Sequence, residues 1–131
     1  MERCRLVFSG SGGQGLITAA IILAEAAVIY EGLNAVQAQS YGAAARGGVT
    51  RSDIIIDDTE INFPKVTQPN ILVCLTQEAY DQSFGIIRPG GLLLTDSALV
   101  KIKRKADARQ DSLTLYRSVQ ERIEKTILLK M

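Results

Sequence analysis

The hydrophobic pattern of the chain consists of short apolar runs separated by polar turns. These runs predict strands at 6–9, 35–39, 49–57, 71–75 and 92–96. The run at 71–75 is continuously apolar, which is typical of a strand that is buried on both faces of a parallel sheet, and 92–96 is predicted as the next buried strand. The pattern therefore indicates a sheet that is covered by other elements on both sides.

Three helices are predicted between and after these strands, at 16–30, 77–84 and 118–130. Gly32 fits the C-cap of the first helix, and Thr76 fits the N-cap of the second. Strands that alternate with helices indicate an α/β fold. We expect a three-layer domain with a mostly parallel sheet flanked by helices.

The C-terminal part of the pattern is less regular. Residues 113–116 alternate as in an edge strand, and Ser118 with Glu121 forms a capping box at the start of the third helix. The sequence stops at Met131, soon after the apolar stripe of this helix has begun. We see no linker or domain boundary and expect a single domain over 1–131.

The first helix is apolar around most of its circumference. Between Leu16 and Ile29 only Thr18 and Glu25 are polar, and their spacing places them on one narrow face. A sheet can cover one side of such a helix. Either a partner chain or the other helices of the domain must cover the rest.

A glycine-rich segment, G-x-G-x-x-G over residues 10–15, lies between the first predicted strand and the first helix. This order points backbone N–H groups and the positive end of the helix dipole at an anion. Such a Rossmann-like glycine loop uses its glycines for a tight turn, a close approach to a ligand and close helix–strand packing. The alternative is a tight turn that binds no ligand.

A dinucleotide site would add an acidic residue about 20 positions further on, where it holds a ribose. Residues 34–40 contain neither Asp nor Glu, and Glu31 comes too early, at the end of the helix. This composition argues against NAD binding, although a stand-alone nucleotide-binding protein remains an alternative.

Composition excludes several classes of site. The 131 residues include no histidine, which removes Ser-His-Asp triads, Cys-His dyads and most metal sites. The net charge of +1 gives no argument for nucleic acid binding. Cys4 and Cys74 fall in or beside predicted strands, so we expect buried, unreactive thiols rather than a disulfide or cluster ligands. We see no secretory signal and expect a cytoplasmic protein.

A basic segment follows the last buried strand. It contains five cations and one carboxylate: Lys101, Lys103, Arg104, Lys105, Arg109 and Asp107. The segment is interpreted either as a solvated loop or edge strand, or as a group that holds an anionic ligand or partner.

The glycine loop, taken together with Gln39-Ser40-Tyr41-Gly42 and Arg46-Gly47-Gly48, resembles the gamma subunits of 2-oxoacid:ferredoxin oxidoreductases, which are domain III in fused chains. The match continues at 51–53, 69–77, Gly90-Gly91 and Asp96. The segment 42–48 is most similar to the 2-oxoglutarate and branched-chain members. Gamma subunits usually extend some tens of residues beyond the position of Met131. The resemblance therefore implies that the C-terminus is incomplete, or that a partner supplies the missing cover of the last helix.

The resemblance implies a subunit of an enzyme that decarboxylates a 2-oxoacid, transfers the acyl group to coenzyme A and passes electrons to ferredoxin. Thiamine diphosphate, magnesium and iron–sulfur clusters are then carried largely by the alpha, beta and delta subunits or their fused equivalents. The isolated chain is expected to be non-catalytic and to bind no metal, with neither nucleic acid nor a membrane as a partner.

On this resemblance, the candidate residues for binding coenzyme A are Gly10, Gly12, Gly13, Gln14, Gly15, Tyr41 and Arg46. Backbone N–H groups of the loop would receive phosphate oxygens, and the Gln14 amide would add to them. Arg46 would bind a phosphate or carboxylate, or else pair with an aspartate, and Tyr41 would line the site or simply pack. The competing hypothesis is a purely structural subunit with an empty glycine loop.

Overall fold

The computed structural model describes residues 1–12, 14–41, 48–102, 108–115, 117–118 and 121–122. A 3-10 turn at Phe84–Ile86 follows the second helix. The helices and strands are β1 (Cys4–Gly10), α1 (Leu16–Glu31), β2 (Asn34–Tyr41), β3 (Thr50–Asp57), β4 (Ile71–Cys74), α2 (Gln77–Ser83), β5 (Leu92–Asp96) and β6 (Arg109–Leu113).

The six strands form one sheet in the order β2-β3-β1-β4-β5-β6. The pairs β1–β4, β4–β5 and β5–β6 are parallel, whereas β3 is antiparallel to both β1 and β2. Among the described strands, β3 is thus the one that runs against the other five. The predicted α/β fold with a mostly parallel sheet is confirmed, with an antiparallel insertion between β1 and β2.

The two helices cover opposite faces of the sheet. One cluster joins α1 to the sheet through Leu6, Ala20, Ala27, Ile54 and Ile56. The other joins α2 to the sheet through Val7, Ile55, Leu72, Tyr80 and Leu93. Because neighbouring residues of a strand point to opposite faces, Leu6 and Val7 belong to different clusters. This arrangement confirms the three predicted layers.

Local signals set the helix ends as predicted. Gly32 closes α1 with a φ of 64°, and its N–H donates to the Ala27 carbonyl. The Thr76 hydroxyl accepts a hydrogen bond from the Ala79 N–H at 3.1 Å and so caps α2. Both are short-range interactions that depend on residues adjacent to the helix.

The predicted elements near the C-terminus are wrong in position. The strand predicted over 113–116 is β6, which lies at 109–113 and pairs with β5. Leu115 and Ser118 are already helical, so Ser118 cannot be the N-cap of the third helix. The Ser118 N–H donates to the Thr114 carbonyl, and Glu121 pairs with Arg117 instead of closing a capping box.

The two thiols are free and face different sides of the sheet. Cys4 packs with the α1 cluster, whereas Cys74 belongs to the α2 cluster and is fully buried. Burial raises the pKa of Cys74 to about 12 and raises that of Cys4 above its usual value. The prediction of buried, unreactive thiols is confirmed for Cys74, and Cys4 is half-buried.

Two ion pairs attach loops to β3. The Arg51 guanidinium binds Asp53 at 2.6 and 3.1 Å, Asp53 accepts from the Val66 N–H, and Arg51 donates to the Val66 carbonyl. At the other end of β3, Arg3 donates to Asp57 at 2.6 Å and holds the pKa of that carboxyl well below its usual range. The first pair fixes the loop 58–70 against the sheet.

We predict that Asp53→Ala destabilises the protein by about 3 kcal/mol, because Arg51 and the Val66 N–H lose their buried partner. The side chain of Asp53 is 6% exposed. Arg109 and Asp111 on β6 provide a matched control, since they have the same spacing but are 78% and 38% exposed. Asp111→Ala should cost at most about 0.5 kcal/mol. Urea unfolding of the two variants measures both values, and equal losses would contradict the role given to burial.

Candidate functional site

The glycine loop lies at the edge of the sheet where the parallel strands end. Gly10 is the last residue of β1, and Leu75 and Ser97 follow the ends of β4 and β5. Thr50, the first residue of β3, pairs with Gly10 on one side and with Tyr41 on the other. The sheet therefore brings the glycine loop and the end of β2 together at the edge where ligands of open α/β sheets bind.

Gly10 is required for close packing. A Cβ atom at this position would lie 2.4 Å from Gln14 Oε1 and 2.6 Å from Leu16 Cδ1. Both distances are shorter than van der Waals contact, so the ends of the Gln14 and Leu16 side chains would have to move to admit a larger residue. Gly10 thus allows Leu16, the first residue of α1, to pack closely on the end of β1.

Gly15 provides the tight turn that leads from the glycine loop into α1. It is the N-cap of α1 and has a φ of 79°, a left-handed conformation that favours glycine. Its lack of a side chain leaves the N–H groups of the first helical turn without a side-chain acceptor from the N-cap residue. The first turn of α1 also contains no acidic residue. The positive end of the helix dipole therefore faces the loop without a charged group in that turn to neutralise it.

Gln14 braces the loop. Its Oε1 accepts a hydrogen bond from the Ser11 N–H at 2.8 Å, and its Nε2 donates to the Leu75 carbonyl at 3.4 Å. The side chain so connects the loop after β1 to the loop after β4. A phosphate contact from the same amide, as expected from the sequence, would use the second N–H of Nε2 or would replace the long bond to Leu75.

Gly12 is exposed and has open space beside it. A Cβ atom there would find Thr50 Oγ1 at 3.9 Å as its nearest neighbour. Of the other predicted site residues, Tyr41 contributes the backbone that pairs with Thr50, whereas Gly13 and Arg46 lie outside the described residues. Gly10, Gly12, Gln14 and Gly15 therefore form one continuous loop, with Tyr41 two strands away.

The ends of the basic segment do not lie together. Lys101 is near the glycine-loop edge, where its backbone exchanges two hydrogen bonds with the Gln77 side chain. Arg109 begins β6, and its N–H donates to the Gly91 carbonyl at the opposite edge. Five residues of strand, about 16 Å, separate the two edges. The backbones of Lys101 and Arg109 therefore lie at opposite edges of the sheet, and residues 103–107, which include the other three cations, lie outside the described part.

The sheet order also bears on the dinucleotide hypothesis. In a dinucleotide-binding fold the second strand lies beside the first, and its terminal acid reaches the ribose. Here β3 separates β2 from β1, so residues 34–41 are displaced by one strand from the glycine loop. The missing acid and the inserted strand both argue against NAD binding.

Sequence reasoning missed two groups of the site. Thr50 lies beside Gly12 and Gly10, and the Leu75 carbonyl receives the Gln14 amide. The sequence offered one signal for these two residues, which is their position along the chain. Thr50 begins a strand and Leu75 follows one, and both strands reach this edge of the sheet. Pairing between distant strands decides their proximity, and this pairing is not visible in a local pattern.

The outer face of α1 is exposed and largely apolar. Ile22 and Ile29 are 60% and 68% exposed, and Ile21, Val28 and Tyr30 are exposed beside them. Thr18 and Glu25 lie on the same outer side. Of the two covers that the sequence left open, α2 does not provide one, because it packs on the opposite face of the sheet.

Neither a metal centre nor a membrane helix is found in the part of the chain that the structure describes. No three side chains of His, Cys, Asp or Glu come close enough there to hold a metal ion. None of the described helices combines the length and hydropathy needed to cross a membrane.

The pyruvate ferredoxin/flavodoxin oxidoreductase family matches the chain over residues 5–129. The chain belongs to this family. The sequence resemblance to gamma subunits is thereby confirmed.

Individual members of the family agree with this assignment. The 2-oxoglutarate synthase subunit KorC of Methanocaldococcus jannaschii is 45% identical over 115 residues, covering 88% of this chain and 60% of that protein. KorC of Methanothermobacter marburgensis is 38% identical over 135 residues, covering 98% and 73%. The solved gamma subunit of a keto/oxoacid ferredoxin oxidoreductase from Geobacter sulfurreducens has a TM-score of 0.82 at 41% identity, covering 94% of this chain and 67% of that one. The chain thus spans three fifths to three quarters of these proteins.

We predict different effects on stability for two alanine substitutions in the loop. Gly10→Ala should destabilise the protein by about 1–3 kcal/mol, because its Cβ would overlap Gln14 and Leu16. Gly12→Ala should change stability by no more than about 0.5 kcal/mol, since its Cβ meets only open space. Thermal unfolding distinguishes the two. A tolerated Gly10→Ala would show that the loop is not closely packed against α1.

Proposed function

We propose that this chain is the gamma subunit of a cytoplasmic 2-oxoacid:ferredoxin oxidoreductase. That enzyme decarboxylates a 2-oxoacid, transfers the acyl group to coenzyme A and passes the electrons to ferredoxin. The observation that carries the proposal is the family match over residues 5–129, together with the similarity to KorC subunits over most of this chain. Because those relatives belong to 2-oxoglutarate synthases, we propose 2-oxoglutarate as the oxoacid.

In this proposal the chain supports the chemistry and does not perform it. Its sequence has two cysteines and no histidine, which is too few ligands for an iron–sulfur cluster or a typical zinc site. We assign thiamine diphosphate, magnesium and the clusters to the alpha, beta and delta subunits or their fused equivalents. The contribution of this chain is then to assemble with them and to form part of the coenzyme A site.

The outer face of α1 is the proposed contact with a larger subunit. Ile21, Ile22, Val28 and Ile29 expose apolar side chains on the outer side of one helix, with Thr18 and Glu25 among them, and exposed apolar patches mark interaction surfaces. Burial of these side chains would remove apolar area from water at about 25 cal/mol per Å². A polar outer face would be expected if α1 were exposed in the assembled enzyme.

We predict that the tagged chain, purified anaerobically from its source cells, retains larger chains together with thiamine diphosphate and iron. The double variant Ile22→Glu, Ile29→Glu should lose these chains, because it places two charges in the proposed interface. Phe63→Glu is the matched control, since Phe63 is 64% exposed but lies outside α1. Recovery of the wild-type chain alone would overturn the proposed function.

The glycine loop is the proposed site for a phosphate group of coenzyme A. The uncapped N-terminus of α1, the left-handed Gly15 and the open space beside Gly12 together form a backbone surface suited to an anion. Lys101, which lies near the same edge, would add positive charge. This assignment extends to Tyr41 and Arg46 through their positions in the sequence next to the end of β2.

A second candidate role is purely structural, with an empty glycine loop. Two contacts favour it: Gly10 packs tightly against Leu16, and the Gln14 amide is used within the loop and on the Leu75 carbonyl. Both contacts would explain the motif without a ligand. The two roles differ in what a bulky residue at the open position would do.

We predict that Gly12→Val raises the apparent KM for coenzyme A in the assembled enzyme about tenfold, which corresponds to about 1.4 kcal/mol. The side chain would occupy the space in which a phosphate approaches the N-terminus of α1. The KM for the 2-oxoacid should not change. Steady-state kinetics at saturating 2-oxoacid measures the effect.

The control is Gly85→Val, because Gly85 also has open space around it and lies in the 3-10 turn after α2. This variant should have normal kinetics. If Gly12→Val assembles normally and leaves the KM for coenzyme A unchanged, the phosphate assignment is wrong. If it instead impairs assembly and the KM is unchanged in the enzyme that does form, the structural role is correct.

A further inference from the structure

A pocket lies beside the start of β1, at the edge of the sheet opposite the glycine loop. Its volume is about 350 Å³, and the described residues that line it are Arg5, Thr67, Gln68 and Arg88. None of these four was a candidate site residue in the sequence. They come from three separate stretches of chain, which the sheet brings together.

Backbone hydrogen bonds hold the two arginines in place. The Asn70 N–H donates to the Arg5 carbonyl at 2.8 Å, and the Arg5 N–H donates to Asn70 Oδ1 at 2.9 Å. The Arg88 N–H donates to the carbonyl of Pro69 at 3.0 Å, and Pro69 is fully buried. Two consecutive residues, Pro69 and Asn70, therefore fix the backbones of both arginines on either side of the pocket.

The charges of the two arginines are poorly compensated. Within the described part of the chain, no group accepts a hydrogen bond from the Arg5 guanidinium, which is half-buried. Arg88 has one weak partner, Glu2, at 3.5 Å, and the two side chains are 46% and 82% exposed. An exposed ion pair of this kind contributes little to stability, and another anion can readily replace its carboxylate. The pocket therefore presents two guanidinium groups to solvent.

The lining groups determine the class of ligand. Guanidinium groups bind the paired oxygens of phosphates and carboxylates through two parallel hydrogen bonds. The Thr67 hydroxyl and the Gln68 amide add donors, and the described lining contains no carboxylate that would repel an anion. A volume of about 350 Å³ lies at the lower end of small-molecule sites, which leaves room for an organic group beside the anion.

We propose that this pocket binds a phosphate monoester that carries a small polar group, with Arg5 and Arg88 on the phosphate and Thr67 and Gln68 beside the polar group. The dianionic phosphate matches two guanidinium groups better than a single carboxylate does. The all-polar lining favours a sugar-like group over an aromatic one. The site is independent of the proposed function, because it lies at the other end of β1 from the glycine loop.

The test uses the full chain in the assembly in which it purifies, with glucose 6-phosphate as the probe. Isothermal titration at constant ionic strength should show saturable binding at one site per chain. Inorganic phosphate should bind more weakly, and glucose and succinate should not bind. Arg5→Gln and Arg88→Gln should each weaken glucose 6-phosphate binding at least tenfold, since each removes a charge-assisted contact.

The matched control is Arg117→Gln, which removes the same charge from an exposed helical position paired with Glu121. It should bind the probe as the wild type does. Thermal unfolding of each variant verifies folding, and Arg88 lies on an exposed turn where substitution is tolerated. If Arg5→Gln does not fold, the binding of glucose 6-phosphate by Arg88→Gln tests the proposal.

Four outcomes would overturn the proposal. The first is the absence of saturable binding, and the second is an equal loss in Arg117→Gln, which would indicate non-specific attraction. The third is binding of succinate or inorganic phosphate as tight as that of glucose 6-phosphate, since this would exclude specificity for an ester. The fourth is dissociation of the assembly by Arg5→Gln and Arg88→Gln without any binding of the probe, which would assign the arginines to a partner chain.

Discussion

The pairing of β1 with β3 on one side and β4 on the other is the constraint on which both sites depend. Gly10 is fixed beside Thr50, and the Leu75 N–H donates to the Ser9 carbonyl, so the glycine loop is positioned by two neighbouring strands. At the start of the same strand, Arg5 is bonded to Asn70, which comes just before β4. Displacement of β1 would therefore disturb the glycine loop at one end and the arginine pocket at the other.

The two sites proposed at the ends of β1 would bind an anion in different ways. At the glycine loop the donors are backbone N–H groups at the start of α1, and the charge is the partial charge of a helix dipole. At the other end the donors are guanidinium groups with full charges and long, adaptable side chains. The loop depends on a glycine where a Cβ would overlap Leu16, whereas the arginine pocket depends on backbone bonds at Pro69 and Asn70.

The insertion of β3 accounts for the departure from a dinucleotide-binding fold. It runs against its neighbours and carries the most buried pattern of the described strands, with seven of its eight residues buried. Its polar side chains Arg51 and Asp53 are paired with each other and with the loop at Val66. Strand β2 is thereby displaced to the edge of the sheet, with α1 covering the antiparallel half. The exposed outer face of α1 is then available to a further subunit.

Sequence alone determined the features that depend on neighbours in the chain. The ends of α1 at Gly32 and of α2 at Thr76, the buried strands β4 and β5, the glycine loop and the family all followed from local patterns. The start of the last helix was misplaced because Thr114 and Ser118 are equally good polar residues for a helix start, and the end of β6 decides between them. A strand boundary set by pairing with β5 cannot be derived from alternation over four residues.

Only the tertiary structure decided the position of β3, the separation of Lys101 from Arg109, and the meeting of Arg5 with Arg88. In each case the deciding interaction joins residues that are far apart in the sequence, and many alternative pairings satisfy the same hydrophobic pattern. The glycine loop shows the same division within one motif. The glycines at 10, 12 and 15 were evident, but which of them packs, which turns and which remains open depends on Leu16 and Thr50 around them. Local chemistry determined which residues could form the site, and strand pairing determined which of them did.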